Sequence, residues 1–448
     1  MTRTADIAAT LQGYDPQALR ADAVSAFLRQ LVEPVTEVQR VPLPAALGRV
    51  LAEDVVSPIS VPPHDNSAMD GYAFDGAQLR PGQPLRLRCV GTALAGAAWR
   101  GAVSPGDCVK IMTGAVMPAG LDTVVPQEFI RVEGAQVELP ADVARRGDNR
   151  RLLGEDLMAG RVALPRGTRL SPAALGLLAS LGLGEVAVLR RLRVAYFSTG
   201  DEILSLGQAP REGAVYDSNR YTVSALLARL GVEVIDLGVV PDRPDALRAA
   251  FGQAAARADA VITSGGVSVG EADHTRAMMR QLGDVVFWRI AMRPGRPMAV
   301  GRIAAAAVDL QKKSGPGACP ESASSSQNNS DSAILFGLPG NPVAVMVTFL
   351  AFVRPALLRM MGARPEPPVL LRAQSSQAIP KKPGRTEYQR GIVSTQPDGR
   401  LRVCTTGNQG SGVLSSMVQA NGLIVLGHAQ GDVAVGDEVS VMMFEGVL

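Results

Sequence analysis

The sequence predicts a multidomain α/β plus β protein, and three observations carry that expectation. The chain has 448 residues, more than one hydrophobic core usually organises, so several domains are expected. From Arg191 onward, strand-like apolar runs alternate with helical ones, the pattern of a parallel sheet covered by helices. Before and after that region, short alternating runs are cut by Pro and Gly, the pattern of small all-β modules.

Composition narrows the class. Hydrophobic residues are 46% and charged residues 19%, a globular balance. The 47 Gly and 31 Pro, with only 4% aromatics, favour many turns over long helices. A net charge of +3 without a Lys/Arg block gives nucleic acid little to bind. Cys89, Cys108, Cys319 and Cys404 form no CxxC pair, which argues against a zinc knuckle and suits a reducing cytoplasm. The start lacks the apolar stretch of a signal peptide. The most apolar run, Val343 to Val353, is about half a membrane span and reads as a buried helix; no membrane partner is expected.

Taken in order, residues 16–33 read as an amphipathic helix with Ala23, Phe27 and Leu31 on one face. Residues 40–56 form a short strand-like connection. Residues 57–156 are the inserted β module, and 157–189 return to helical character. The first, mainly helical domain thus comprises 1–56 and 157–190. The α/β domain spans 191–364. Within it Asp217-Ser-Asn opens a helix that Gly231 stops, and residues 244–258 form another. Residues 309–333, rich in Ser and Asn, read as a flexible surface insertion. A Pro-rich linker at 364–368 leads to a C-terminal β domain, 365–448, of barrel or sandwich type.

Four constellations carry chemistry. Ser264-Gly265-Gly266-Val-Ser268-Val-Gly270 follows a strand, where glycines let backbone approach an anion closely; a plain turn is the alternative. Asp201, Glu202, Asp242, Glu271 and Asp273 all fall at strand C-terminal ends. At about 4 Å and an effective dielectric near 20, each like-charged pair costs roughly 4 kcal/mol, so a cation such as Mg²⁺ is expected to join them. Arg289, Arg293 and Arg296 recur in WRIAMRPGRP, and guanidinium forks suit phosphates and tetrahedral oxyanions. Residues 63–72 pack His64, Asp65, Asn66, Ser67 and Asp70 into one loop, where turn capping alone explains them. No Ser/His/Asp triad, HExxH or Walker A sequence is visible.

The motifs DNSAMDGYA (65–73), KIMTGA (110–115), GED (154–156), STGDE (198–202) and SGGVSVGEAD (264–273) occur in that order. RPGRP (293–297), GLPGNPVA (337–344), YQRG (388–391) and NQGSG (408–412) complete the set. With them the chain resembles, nearly end to end, molybdopterin molybdenumtransferases of the MoeA family, relatives of the gephyrin E domain. The resemblance implies a MogA-like parallel α/β catalytic domain, an inserted all-β domain and a C-terminal β-barrel-like domain. It implies a homodimer whose site combines the α/β domain of one subunit with the β domains of the other. The implied reaction binds adenylylated molybdopterin, cleaves the adenylate with Mg²⁺ and transfers molybdenum from molybdate to the dithiolene, releasing AMP. A MogA-type adenylyltransferase and apo-molybdoenzymes are the implied transient partners.

Carried over residue by residue, the resemblance implies catalytic roles for Asp65, Thr113, Glu202, Asp242 and Asp273. Glu202, Asp242 and Asp273 are the implied metal ligands. Arg289, Arg293, Arg390, Ser411 and Arg151 are implied substrate contacts, joined by Arg296 and the glycine turn (Ser264, Gly265, Gly266, Ser268, Gly270). Two departures stand out. The family usually has lysines where Arg289, Arg293 and Arg296 stand, which keeps charge but turns an ammonium into a planar fork. Leu152 and Leu153 replace two arginines before GED. Two other readings remain: a molybdopterin adenylyltransferase on the same α/β fold, and a gephyrin-like scaffold.

Overall fold

The computed structural model describes residues 3–267, 274–304 and 332–445. The chain divides into two compact units. One comprises residues 40–47 and 51–188, the other residues 1–39, 48–50 and 189–448.

The first unit is built on a six-stranded sheet. Its order is Thr123–Pro126, Gly71–Phe74, Asp107–Ile111, Leu85–Ala93, Gln136–Leu139 and Arg131–Glu133. Only Leu85–Ala93 and Asp107–Ile111 run parallel; the other neighbours are antiparallel. Both faces are covered, one by a cluster around Val109, Ile111 and Val124, the other by one around Phe74, Val125 and Val137. The rest of this unit packs around Leu51, Leu170, Leu178 and Val188. Residues 157–189 hold less helix than their apolar content suggests. Only Pro172–Ser180 is helical, opened by the Ser171 side chain accepting from the Ala174 N–H, whereas Val162–Leu164 and Glu185–Leu189 are strands. The alternation of Val186 and Val188 with neighbours in GEVAVL is a strand period that the preceding leucine run obscures.

The second unit opens with the helices Thr4–Thr10 and Ala21–Leu31, the latter burying Val24, Phe27, Leu28 and Leu31. Its α/β layer contains β1 (Arg193–Thr199), α1 (Ser218–Leu230), β2 (Glu233–Val240), α2 (Pro244–Arg257) and β3 (Ala260–Ser264). There follow α3 (His274–Leu282), β4 (Gly283–Arg289), β5 (Pro297–Ala304) and β6 (Ser332–Leu338). The strand order is β2-β1-β3-β6-β5-β4. The first four strands run parallel, as the alternating pattern implies. β5 then pairs antiparallel with both β6 and β4, so the sheet is mixed. The expected insertion at 309–333 ends inside this sheet, since Ser332 and Ala333 belong to β6; residues 305–331 lie outside the described residues.

The reversal at β5 has a positional effect. Because β5 runs opposite to β6, its first residue lies at the edge where β1, β2, β3 and β6 end. Arg289 at the end of β4 pairs with Pro297 at the start of β5, at that same edge. The chain order places the topological switch between β1 and β3, where open α/β sheets bind ligands.

Beyond β6 a continuous helical stretch runs through Pro342–Thr348, a π-helical turn Phe349–Val353, and Arg354–Met360. It is long and apolar enough to span a membrane by length and composition. Val343, Val345, Val347, Phe349, Phe352 and Val353 are nevertheless all buried in the fold, which accounts for the apolarity.

The C-terminal strands close into a five-stranded barrel. Thr386–Thr395 pairs with Leu401–Thr405 on one side and Gly422–Leu426 on the other. Leu371–Ser375 and Glu438–Met443 complete the ring. Val403, Ile424, Val439 and Val441 fill it. Met292–Arg293 adds a short parallel pairing onto Thr386–Glu387, joining the loop after β4 to the barrel.

Candidate active site

In the unit formed by 40–47 and 51–188, three loops are laced together. Asp65 accepts the Leu153 N–H at 2.8 Å and lies 3.7 Å from the Arg150 guanidinium. Its carbonyl accepts the Met117 N–H. Thr113 donates both its N–H (2.7 Å) and its hydroxyl (2.8 Å) to Asp70 Oδ1. These bonds hold the Asp70 carboxyl below its usual range, the Thr113 N–H contributing first. Arg150–Arg151 pairs with Asn66–Ser67, setting exposed Arg151 beside the loop. Asp65, Thr113 and Arg151 therefore belong to one neighbourhood. Asp70 and Arg150, read earlier as a turn residue and not at all, belong to it too. Leu152 and Leu153 sit exposed beside Asp65, on the surface the usual arginines would occupy.

In the other unit the edge of the sheet is built first by glycine. Gly265 has φ +91°, and a Cβ there would come within 2.4 Å of the Thr199 carbonyl. Gly266, at φ +65°, would meet Thr275 Cβ at 2.4 Å. The turn after β3 thus presses directly onto the end of β1 and onto α3, which only glycine allows. Ser264 takes a different place from the one expected. It is buried, and its hydroxyl bonds Tyr196 Oη at 2.7 Å and Ser198 Oγ at 3.2 Å inside the sheet. Its side chain joins β1 to β3 within the sheet. Burial pushes the Tyr196 phenol up, so it stays protonated.

The acidic residues follow β1 and β2. Asp201 and Glu202 are exposed on the turn after β1. Half-buried Asp242 donates its N–H to Asp201 Oδ1 at 3.3 Å. Asp242 Oδ1 accepts the hydroxyl of Thr275 at 3.1 Å, and Thr275 is fully buried. Thr275 is a positioning residue that the sequence reading missed; nothing in HTRAMMRQL marks it. The expected metal trio is only partly placed. Asp273 lies outside the described residues, as do Ser268 and Gly270. Among the described residues no group of three or more His, Cys, Asp or Glu converges to hold a metal ion.

The arginines divide by burial. Arg289, Arg293 and Arg296 are exposed. The Ile290 N–H donates to the Arg296 carbonyl, closing the loop that carries Arg293 toward the barrel. Arg390 is wholly buried. Its Nε donates to Ser416 Oγ (2.9 Å), and its Nη2 to the carbonyls of Asn408 (3.2 Å) and Gly410 (2.9 Å). The main chain of Arg390 and the Gln409 amide bond each other reciprocally. Arg390 therefore holds the NQGSG loop in shape as well as lining a small cleft with Arg293, Pro294, Tyr388, Gln389 and Gln409. Burial first and Arg293 second push its guanidinium down to about 10. Glu387, also at this cleft, is matched by Arg385 at 2.7 Å.

Ser411 connects the two arrays. Its hydroxyl accepts from the Asn341 amide at 3.1 Å and its carbonyl from the Val343 N–H. Gly340 lies 4.0 Å from Gly265, measured from where a Gly340 Cβ would stand. GLPGNP thus links the glycine turn to the barrel loop.

The chain matches known proteins along almost its whole length. The family described as "MoeA N-terminal region (domain I and II)" matches residues 19–182. "Probable molybdopterin binding domain" matches 195–359, and "MoeA C-terminal region (domain IV)" matches 372–444. A Haemophilus influenzae protein named molybdopterin molybdenumtransferase is 38% identical over 95% of this chain and 98% of its own. The chain belongs to the MoeA family.

A Nostoc relative of the same name is 36% identical over 89% of this MoeA-family chain and 87% of its own. The crystal structure of a MoeA protein from Pyrococcus horikoshii superposes with a TM-score of 0.75 at 26% identity, covering 95% of this chain and all of that one. The MoeA architecture is therefore this chain's architecture, from the inserted sheet to the closed barrel.

Proposed function

We propose that this chain is a molybdopterin molybdenumtransferase, which takes adenylylated molybdopterin and molybdate and gives molybdenum cofactor and AMP. The family membership supports the reaction class. The observation that carries the chemistry is the cleft where Arg293 stands beside buried Arg390 and, after burial itself, weighs against the Arg390 charge. A tetrahedral oxyanion relieves that repulsion, and guanidinium groups suit it. Holding the oxyanion there while the glycine turn admits the phosphates brings both reactants into one orientation.

Glu202 and Asp242 are the residues proposed to hold Mg²⁺. They fit it as an incomplete set: two carboxylates on one sheet edge, with Asp242 fixed by Thr275, need substrate oxygens and water to fill an octahedral shell. When bound, Mg²⁺ supplies charge stabilisation for the cleaved phosphoanhydride. Asp242 is oriented for this by the hydroxyl of Thr275, an uncharged donor.

The proposed assembly is a cytoplasmic homodimer. Cys89, Cys108 and Cys404 are free thiols, in keeping with a reducing compartment. A MogA-type adenylyltransferase would supply the substrate and apo-molybdoenzymes would take the product.

The test follows AMP release from adenylylated molybdopterin with Mg²⁺, with and without molybdate. Molybdate-dependent release is expected, lowered by about 10² or more in Glu202→Ala and abolished by a chelator. Folded wild-type protein that releases no AMP would sink the assignment. ATP consumption in place of AMP release would point instead to the adenylyltransferase reading.

A further inference from the structure

The edge of the α/β sheet opposite the candidate site carries a second cationic cleft. It is lined by Arg49, Arg190, Arg191, Leu192, Gly231 and Met361 among others. Leu192 lies just before β1 and Gly231 just before β2, which fixes the cleft at the strand N-terminal edge. It shares no residue with the Arg293–Arg390 cleft.

The three arginines are unequally matched. Arg190 forms a two-pronged pair with Asp259, both contacts at 2.7 Å, and also meets Glu37 at 2.8 Å. Arg191 donates to the Gly231 carbonyl at the C-terminal end of α1. Arg49 is 7% exposed, yet among the described residues it forms no ion pair. Its Nη2 donates to Gln39 Oε1 and to the Leu189 carbonyl, both at 2.9 Å and both uncharged acceptors. Burial and the neighbouring Arg191 both weigh against its charge, burial more. A buried cation matched only by neutral groups is costly, and an anion beside it removes most of that cost.

We propose that this cleft is a second oxyanion site, taking a phosphoryl group between Arg49 and Arg191. The enclosed part of the cleft is about the size of one water molecule. One phosphate oxygen therefore enters toward Arg49, while the others face Arg191 and solvent. That geometry accepts inorganic phosphate and a phosphomonoester alike, because the ester oxygen points outward. It is independent of the proposed reaction, since it uses none of the residues assigned to it.

The experiment titrates inorganic phosphate into the full chain at constant ionic strength, following the melting temperature and calorimetric binding. Sodium chloride serves as the blank. Three variants are compared: Arg191→Gln, Arg49→Lys and, as the control at the other cleft, Arg293→Gln. Saturable phosphate binding that weakens about tenfold or more in Arg191→Gln but persists in Arg293→Gln supports the site. Arg191 is exposed, so its variant decides even if Arg49→Lys folds poorly. Repeating the titration with AMP on wild type and Arg191→Gln settles the source: AMP binding that Arg191→Gln weakens as it weakens phosphate assigns a phosphoryl group, and an Arg191→Gln effect on phosphate alone assigns the free anion. The proposal is overturned if phosphate gives no saturable effect beyond chloride, or binds Arg191→Gln and wild type equally.

Discussion

Arg293 and Arg390 carry the same charge and stand at the same cleft, yet they should fail differently when replaced. Arg390 is buried and supports a loop through three donor bonds. Arg390→Leu would remove the donor to Ser416 Oγ and to the Asn408 and Gly410 carbonyls and should cost about 2–4 kcal/mol in chemical denaturation. Arg293→Gln touches an exposed side chain. It should leave the denaturation midpoint unchanged while weakening molybdate binding about tenfold or more, read by calorimetry. Loss of stability in both variants, or in neither, would refute this division of labour. Asp70 gives a pH signature. Its folded carboxyl titrates below its unfolded value because Thr113 donates to it. The stabilisation is therefore complete above the unfolded value and is lost as pH falls through the folded one. The stability gap between wild type and Asp70→Asn should shrink as pH falls from about 5 to 3, and a gap that widens would contradict the Thr113 contact.

At the scale of elements, α1 was the most legible. Asp217-Ser-Asn and Gly231 marked its ends in sequence, and the structure shows Asp217 Oδ1 accepting the Arg220 N–H and Gly231 in the left-handed region at φ +80°. Asp217→Ala should lower stability by about 1 kcal/mol, with a matching drop in melting temperature. A variant as stable as wild type would show the cap to be redundant. Capping is legible because it is settled by three or four neighbouring residues. β5 was not legible, since a strand's direction depends on partners far along the chain, and PMAVGRIA directly follows an arginine loop that drew a functional reading instead. The same limit hid Thr275 and Asp70, whose roles come from contacts to Asp242 and Thr113, and it hid the burial of Arg390. Motif and spacing could point to Arg390; only the fold shows it spending donors on its own loop.

For the whole molecule, the sequence resemblance anticipated the α/β sheet, the inserted sheet and the barrel, and the proposed homodimer makes its own prediction. If Asp65 and Thr113 act with Glu202 and Asp242 of the other subunit, two inactive proteins should rescue each other. Co-refolded Asp65→Ala and Glu202→Ala should recover about a quarter of wild-type AMP release, because half the dimers are mixed and each mixed dimer carries one intact site. No recovery from demonstrably mixed dimers would place all four residues within one subunit.

Ala304 and Ser332 face each other as register partners on β5 and β6, at the sheet edge away from Glu202 and Asp242. The two positions are adjacent in the sheet although 28 apart in the sequence. A detour that begins and ends at one place asks nothing of the sheet about its length. An engineer could therefore attach a reporter domain between Ala304 and Ser332 while leaving the opposite edge untouched.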